Sequence, residues 1–438
     1  MEQLASSQLL REFTPHLTRF NMKQWLWILF LLLIIGIGVF AFISQVSYGH
    51  EVTGMRDNVV WGIYIVNFIF FMGISYAGAL ISGTLHLFKA EWRKPIIRMA
   101  EYITLIALLI GPGYILLCIG RLDKLYYLVE YGRIQSHITW DVIAISTDIF
   151  GCFIFLYLAL LRDLASLREL DDPIIPKWKR KLYRFLALEY IGTPEQKERL
   201  KKATDIMAAM VIAIAIIVYS VLAWIFSVTL QPGWHSTIFG PYFVIAAVYS
   251  GAGVLIIVMW IYRKLFRLEH LITKKHFVNV GVLMLILAAF FGYFTFCEYL
   301  TKWYGSEKND EMLISILFNQ YYWPFLISNY IGVLLPLIVV GLPKLRTINN
   351  ITISAIIVII ALWLNRYLIV VPTLESPYLP IQDSRQQWFE YNGTWIEWSL
   401  TFAGIALFCL LFTIASNFVP VMNVSEMSDA PDPEKEIL

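Results

Sequence analysis

Long apolar stretches separated by short polar segments dominate this chain and determine its physical class. Ten of them run for about 20 residues or more, the length that an α-helix needs to cross a hydrocarbon layer of about 30 Å. They are predicted at 24–46, 59–87, 98–119, 141–162, 206–228, 239–262, 278–300, 320–341, 350–371 and 397–418. The pattern therefore predicts an all-α integral membrane protein with ten transmembrane helices.

The segments outside these spans are short, because 58% of the 438 residues are hydrophobic and only 15% are charged. The first apolar run is too long for the core of a cleaved signal peptide, so the first helix is expected to be retained. The predicted organisation is an N-terminal segment (1–23), helices 1–4 (24–162), an amphipathic loop (163–205), helices 5–9 (206–371), a loop (372–396), helix 10 (397–418) and a tail (419–438).

The distribution of Lys and Arg predicts the orientation of the helices. An even number of spans places both termini on one side of the membrane, and 26 of the 34 Lys and Arg residues belong to segments on that side. By the positive-inside rule both termini are expected in the cytoplasm, and the loop at 372–396 is expected outside. The basic residues would face anionic membrane lipid, so the net charge of +2 does not indicate a nucleic-acid partner.

A basic amphipathic run occupies residues 177–185 within the cytoplasmic loop. Basic residues on one face and aromatic or aliphatic residues on the other are typical of a helix that lies in the membrane interface. The run is therefore predicted to form a helix on the inner leaflet. A helix that docks a partner protein is the alternative.

Matching residues indicate an internal repeat. Positions in the second and sixth spans match at an offset of 178 residues, and positions in the third and seventh spans match at an offset of 179. The first set contains Gly62, Gly73, Tyr114 and Cys118, and the second contains Gly240, Gly251, Tyr293 and Cys297. The offsets predict two four-helix bundles, helices 2–5 and 6–9, flanked by helices 1 and 10. Because four spans separate equivalent helices, the two bundles would be parallel repeats.

Cysteine and histidine positions argue against a metal cofactor in this chain. All four Cys residues lie inside predicted spans and none forms a C-x-x-C pair, so an iron–sulfur cluster or zinc site is not expected. The seven His residues lie in loops or at helix ends, whereas bis-histidine haem requires His within the spans. A partner subunit would have to carry any metal centre.

Several groups that could bind a quinone headgroup are predicted near the outer ends of the helices. A quinone ring requires hydrogen-bond donors, an acceptor for quinol protons and aromatic walls. The candidates are Tyr114, Cys118, Arg121, Asp141, His235, Tyr242 and Glu298. Simpler roles stay open: Asp141 and Glu298 as hydrated carboxylates at helix ends, Arg121 as a snorkelling side chain, and His235 as a loop residue.

A second set of residues suggests a proton pathway. Asp148 lies well inside the fourth span, two turns from Asp141, and acids at that depth usually have a function. Ser146 and Thr147 are its neighbours, and Glu101 is predicted near the cytoplasmic end of the third span. These four residues are predicted to relay protons, with the alternative that Asp148 only ties helices together.

Ordered motifs extending from the second to the ninth span resemble the NrfD/PsrC family of polysulfide reductase membrane subunits. The matching segments are 61–68 with Gly73 and Gly78, then 91–93, 120–121, 140–141, 234–243 and 298–305. The number of spans and the Trp-His-Ser-Thr run at 234–237 are similar to a ten-helix branch. That branch includes the quinol-oxidising subunits of alternative complex III and membrane subunits of sulfate-reducer redox complexes.

The resemblance implies a subunit of the bacterial or archaeal cytoplasmic membrane that binds menaquinone or ubiquinone as substrate near the outer face. It implies an iron–sulfur (ferredoxin-like) partner docked there and no haem, iron–sulfur cluster or metal in the chain itself. Further molybdopterin or cytochrome subunits are left open. Arg121 and Asp141 match family positions at the quinone pocket, whereas Cys118 stands where relatives commonly carry His. That departure shifts the expected role of proton acceptor to Asp141 or to His235.

The expected function is that of a quinone-binding subunit of a respiratory oxidoreductase complex, with proton translocation as a further possibility. Two other classes stay open. A polytopic transporter would require discontinuous helices, for which residues 111–113 (Gly-Pro-Gly) are the best candidate break. A passive membrane anchor of a redox complex would have no quinone site.

Overall fold

The computed structural model describes residues 20–56, 59–169, 175–376 and 391–428. Ten helices in these ranges are long and apolar enough to cross a membrane, which confirms the predicted class. They are α1 (Met22–Tyr48), α2 (Gly62–Leu87), α3 (Ile97–Cys118), α4 (His137–Glu169), α5 (Pro194–Ser227), α6 (Phe239–Leu265), α7 (Lys274–Gly305), α8 (Tyr322–Gly341), α9 (Ile348–Glu375) and α10 (Trp395–Phe418). Most of the predicted segments 1–23, 372–396 and 419–438 lies outside the described residues. Below, "inner" and "outer" follow the orientation that the charges predict.

Helix α5 differs most from its predicted bounds, since it begins at Pro194 rather than at residue 206. Thr193 and Gln196 form a capping box, in which the Thr193 hydroxyl accepts from the Gln196 backbone and the Gln196 side chain accepts from the Thr193 backbone. Pro194 occupies the first helical position, where its missing N–H costs nothing. Hydrophobicity marks only the apolar part of a helix, so it did not reveal the polar turns before residue 206.

The two predicted four-helix bundles have the same arrangement of neighbours. In the first bundle (α2–α5), each helix packs against the next, and α5 returns to pack against α2. In the second bundle (α6–α9), the same order holds, and α9 returns to pack against α6. This matching order is the arrangement that the sequence repeat predicts.

Helices α2 and α6 cross at the contact between the bundles. Gly73 of α2 packs against Ala247 of α6, and Gly251 of α6 packs against Ala77 of α2. Small residues allow the backbones to approach closely. Inside a bilayer the hydrophobic effect does not drive helices together, so this close van der Waals packing stabilises the contact. Helix α5 packs beside α6 and α9 packs beside α2, so the interface involves four helices.

Helices α1 and α10 flank the first bundle. Helix α1 packs mainly on α10, with Gly38 against Ala403, and α10 in turn packs against α3. The outer end of α10 is anchored by Glu397, whose Oε2 accepts hydrogen bonds from the backbone N–H groups of Gly54 and Thr394. The chain before α2 is thereby tied to the start of α10.

The basic run predicted to be an interfacial helix does form a helix, Lys177–Leu186. Its Lys179 Nζ donates to Asn417 Oδ1 at 2.7 Å, and its Tyr183 hydroxyl donates to the Phe418 carbonyl at 2.6 Å. These bonds attach the helix to the inner end of α10. The face of this helix that points away from α10 exposes Trp178 and several cations, and that face is suited to contact with a membrane surface.

Candidate functional site

The seven residues predicted to bind quinone lie in separate parts of the fold rather than in one pocket. Two are on exposed outer loops, and the others are divided between the α10 contact and the interiors of the two bundles. Arg121 and His235 are in the loops, Tyr114 and Cys118 at the α10 contact, Asp141 in the first bundle, and Tyr242 and Glu298 in the second.

The two loop residues face solvent. The Arg121 side chain is 68% exposed and pairs with Asp123 at 3.0 Å, and within the described residues it forms no ion pair with Asp141. His235 is exposed, although the adjacent Trp234 is buried. Both residues therefore belong to the outer surface rather than to the interior of a bundle.

Tyr114 and Cys118 hold α3 against its neighbours. The Tyr114 hydroxyl donates to the carbonyl oxygens of Leu400 and Thr401 in α10, each at 3.2 Å. The Cys118 thiol donates weakly to the Trp61 carbonyl at 3.8 Å. Their polar atoms are thus engaged in contacts between helices.

Asp141, Asp148 and Tyr76 form a buried group in the first bundle, which we call the acid cluster. Asp148 is fully buried, and its Oδ1 accepts from the Cys152 thiol at 3.3 Å. Asp141 Oδ1, Asp148 Oδ2 and the Tyr76 hydroxyl are all buried and have no hydrogen-bond partner in the described residues. The Tyr76 hydroxyl is close enough to both carboxyl groups to interact with them electrostatically. Unpartnered buried acids inside a membrane bundle are costly and mark functional sites.

Ser146 and Thr147 lie on the exposed surface of α4, away from the acid cluster. The Ser146 hydroxyl donates to the Val142 carbonyl at 2.7 Å, and the Thr147 hydroxyl donates to the Ile143 carbonyl at 2.8 Å. A Ser or Thr hydroxyl that donates to a carbonyl of its own helix already has its hydrogen-bond acceptor and needs no partner on another helix. These two members of the predicted proton pathway are therefore not joined to Asp148.

Glu101 is buried at the inner end of the first bundle, beside a large cavity. Its Oε1 accepts from the Ser82 hydroxyl at 3.4 Å, and its Oε2 lies 3.6 Å from Arg98. Arg98 also forms a buried ion pair with Asp163 at 2.8 Å. The cavity has a volume of about 580 Å³ and reaches Glu101 from the inner side. Charged groups line its mouth, including the pairs His86–Asp205 and Arg93–Glu426.

A chain of aromatic side chains connects the acid cluster to the second bundle. The Tyr76 ring lies 5.0 Å from that of Tyr219 in α5, and the Tyr219 ring lies 5.9 Å from that of Phe243 in α6. Arg366 of α9 stacks over Phe243 at 4.7 Å and is almost fully buried. Tyr76 and Tyr219 were not among the residues predicted from the sequence. The available signal was that each is a Tyr inside a span, where its hydroxyl requires a polar neighbour.

Tyr242 and Glu298 have polar partners inside the second bundle. The Tyr242 hydroxyl accepts from the Asn365 amide at 2.8 Å. Glu298 accepts a hydrogen bond from the Ser236 hydroxyl at 2.6 Å and pairs with Lys302. This network closes the outer end of the second bundle.

The structure gives no indication of a metal site within the described ranges. No group of three or more His, Cys, Asp or Glu side chains there is placed to hold a metal ion. The four Cys residues are not joined in disulfides.

Comparison with known proteins identifies the family. Residues 51–376 match the family model described as Polysulphide reductase, NrfD. The chain is 30% identical to the membrane subunit of a putative dimethyl sulfoxide reductase of Halobacterium salinarum, over 54% of the chain and 51% of that relative. It is 23% identical to a selenate reductase subunit of Mesobacillus selenatarsenatis, over 92% and 96% of the two chains.

A third relative is the Hdr-like menaquinol oxidoreductase integral membrane subunit of Archaeoglobus fulgidus, with 22% identity over 90% of the chain and 92% of the relative. The chain thus spans about half of the Halobacterium protein and nearly all of the other two. All three relatives are named as subunits of redox enzymes. The family match covers most of the chain, and the protein therefore belongs to the polysulphide reductase NrfD family.

Proposed function

We propose that this protein is the quinone-interacting membrane subunit of a multi-subunit respiratory oxidoreductase. In this role it exchanges protons and electrons between a membrane quinone and a redox partner on the outer face. The observation that carries the proposal is the acid cluster, with its three unpartnered polar atoms inside the first bundle. The relative named as a menaquinol oxidoreductase subunit favours the menaquinol/menaquinone pair as the substrate.

The position of Asp141 suits a proton acceptor for quinol oxidation. Oxidation of a quinol to a quinone breaks the ring O–H bonds and releases protons together with electrons, so a base must lie within hydrogen-bond reach of the ring. Asp141 lies one turn inside the outer end of α4, and its Oδ1 is available. Asp148 lies two turns deeper, about 10 Å along the helix axis, and in this proposal it receives the next proton.

The cavity below Glu101 supports a second part of the proposal, a proton route to the inner side. Glu101 accepts a hydrogen bond from Ser82 of α2. Ser75 and Tyr76 lie about two turns from Ser82 along α2, in the direction of the acid cluster. The Ser75 hydroxyl is buried without a partner in the described residues. We therefore extend the proposal to a water-assisted path from the inner cavity through Glu101 and Ser82 to Tyr76 and Asp148.

The outer loop between α3 and α4 is the proposed docking surface for an iron–sulfur partner. Val129 and Ile134 are 83% and 79% exposed, and Tyr126 and Tyr131 beside them are also exposed. Exposed apolar residues grouped in this way mark contacts with a protein or with the membrane, and on an outer loop we take the protein contact. Arg121 and Asp123 in the same loop add charges that would orient such a partner.

The alternative classes are less well supported. The break expected of a transporter at residues 111–113 is not found, because α3 continues as one helix from Ile97 to Cys118 through Pro112. A passive anchor would gain nothing from acids buried without partners, which reduce stability. A quinone-linked role explains both the acids and the names of the relatives.

The experiment is Asp141→Asn in the complete complex, isolated from its native membrane. We expect assembly to be retained and quinol turnover to fall at least roughly tenfold, about 1.4 kcal/mol of transition-state stabilisation. Glu195→Gln, which changes an exposed acid on the inner side away from the proposed sites, is the control and should leave turnover unchanged. Normal turnover in Asp141→Asn would overturn the assignment of the base. A wild-type complex that neither binds nor oxidises quinol would overturn the function.

A further inference from the structure

The outer half of the second bundle contains a pocket, and none of its lining residues is among the predicted site residues. It lies between α7 and α8, has a volume of about 320 Å³, and is covered by the outer helix Lys308–Asn319. Its walls are aromatic: Phe296, Tyr299, Trp303, Phe318, Phe325 and Tyr330. We call it the α7–α8 pocket. Its volume is at the lower end of the range typical of small-molecule sites.

Two polar side chains stand in these apolar walls without hydrogen-bond partners. Both the Oδ1 and Nδ2 atoms of Asn329 are buried and unpaired, and so is the Oγ1 atom of Thr295. Buried amide and hydroxyl groups are nearly always satisfied in folded proteins, because leaving them unpaired is costly. A flat ring with a carbonyl oxygen would accept hydrogen bonds from Asn329 Nδ2 and from the Thr295 hydroxyl and would fill the space between the aromatic walls. Its reduced form, which carries ring hydroxyls, would also donate to Asn329 Oδ1.

The backbone supports the same interpretation. Helix α8 departs from regular α-helical bonding over Ile327–Ile331, where it forms a π turn that contains Asn329. Such turns are rare and are frequently found at functional sites. In α8 the turn coincides with the residue that presents its amide to the pocket.

The pocket opens towards lipid and contains no charged wall residue. Phe296 and Trp303 are 63% and 65% exposed on a surface that faces the membrane, and every residue lining the pocket is uncharged. A water-soluble or ionic ligand would therefore bind poorly. The expected ligand is neutral, flat and membrane-soluble, with hydrogen-bonding oxygen atoms and an apolar tail that extends into the bilayer.

We propose that the α7–α8 pocket binds a second quinone, in addition to the one handled by the first bundle. The proposal rests on the proposed function, because it assumes that quinone is the substrate class. It assigns a quinone site to each of the two repeated bundles, with Asn329 and Thr295 as the ring-binding residues of the second.

The test is photolabelling of the purified complex with an azidonaphthoquinone carrying a short prenyl tail. We expect label on peptides from α7 and α8 that line the pocket. Asn329→Leu should reduce that label at least fivefold, and Thr295→Val, which is close in shape, should reduce it about fivefold through the loss of one hydrogen bond. Asn319→Leu is the matched control, because its side chain bonds to Ser315 outside the pocket.

The outcomes separate this inference from the proposed function. Label in the pocket that survives Asp141→Asn but not Asn329→Leu supports two sites. Quinol turnover without any label in the pocket overturns the second site and leaves the function intact. Label that is displaced by added phospholipid but not by unlabelled menaquinone would show a lipid site and overturn the proposal.

Discussion

Gly251 of α6 lies so close to Ala77 of α2 that a Cβ atom on residue 251 would stand 2.0 Å from the Ala77 Cβ. This contact sets the distance between the two bundles. Tyr219 of α5 lies at the same crossing, where its ring contacts both Tyr76 of α2 and Phe243 of α6 and so connects the acid cluster to the second bundle. The tight helix crossing and the aromatic connection therefore occupy the same part of the fold.

Gly251→Ala should therefore destabilise the protein although alanine favours helices. The added methyl cannot fit without moving α2, and overpacking of this kind costs about 1–3 kcal/mol. Gly36→Ala in α1, where nothing lies within 4 Å of the added atom, is the control and should be neutral or slightly stabilising. Thermal unfolding in detergent compares the two. Equal midpoints would contradict the tight crossing.

Asp148→Asn should separate proton movement from electron transfer. If Asp148 relays protons between the inner cavity and Asp141, the variant in proteoliposomes with quinone and partner subunits should lose inner-side proton uptake and retain electron transfer. Glu101→Gln should behave in the same way, because Glu101 lies at the cavity. Unchanged proton stoichiometry in both variants would leave these acids with a structural role only.

Charge placed in the outer loop should release the redox partner. Val129→Asp and Ile134→Asp disrupt the exposed apolar surface without touching the interior of a bundle. We expect the iron–sulfur subunit to be lost on purification while the membrane subunit stays folded. Ile191→Asp is the control, since Ile191 is similarly exposed on the inner side. Loss of the partner only in the control would refute both the docking surface and the orientation.

Arg98 holds two buried acids together at the inner end of the first bundle. Arg98→Met should cost about 3–5 kcal/mol of unfolding free energy, because it leaves Asp163 buried without this cation. Adding Asp163→Asn to Arg98→Met should recover part of that loss. Arg199→Met removes only an exposed pair with Glu195 and should change stability by less than about 1 kcal/mol. Unfolding in mixed micelles provides the comparison.

Lys179 should make stability depend on alkaline pH. Burial lowers the pKa of its ammonium group from 10.5 to about 8. Between these values the unfolded chain binds a proton that the folded protein does not, so stability rises with pH across that window. Wild type should therefore gain stability relative to Lys179→Met from about pH 8 to pH 10, whereas exposed Lys181→Met should follow wild type. A pH-independent difference would contradict the lowered pKa.

The sequence alone was sufficient for the architecture. Ten spans and the repeated bundles followed from apolar length and recurring glycines, because the length of a membrane helix depends on bilayer thickness and not on its neighbours. The family followed from ordered motifs, and the structure and the family match confirmed it. Capping chemistry was the main local feature that was overlooked, at Thr193 before α5.

Only the tertiary structure decided which polar residues meet. It paired Arg121 with Asp123 rather than with Asp141, turned Ser146 away from Asp148, and brought Tyr76 and Tyr219 together. In a water-soluble helix the apolar face reveals what is buried, but in a membrane helix both the core and the lipid face are apolar. The rotation of each helix is therefore set by close packing of small residues between neighbours, a property of helix pairs that no single segment of sequence contains.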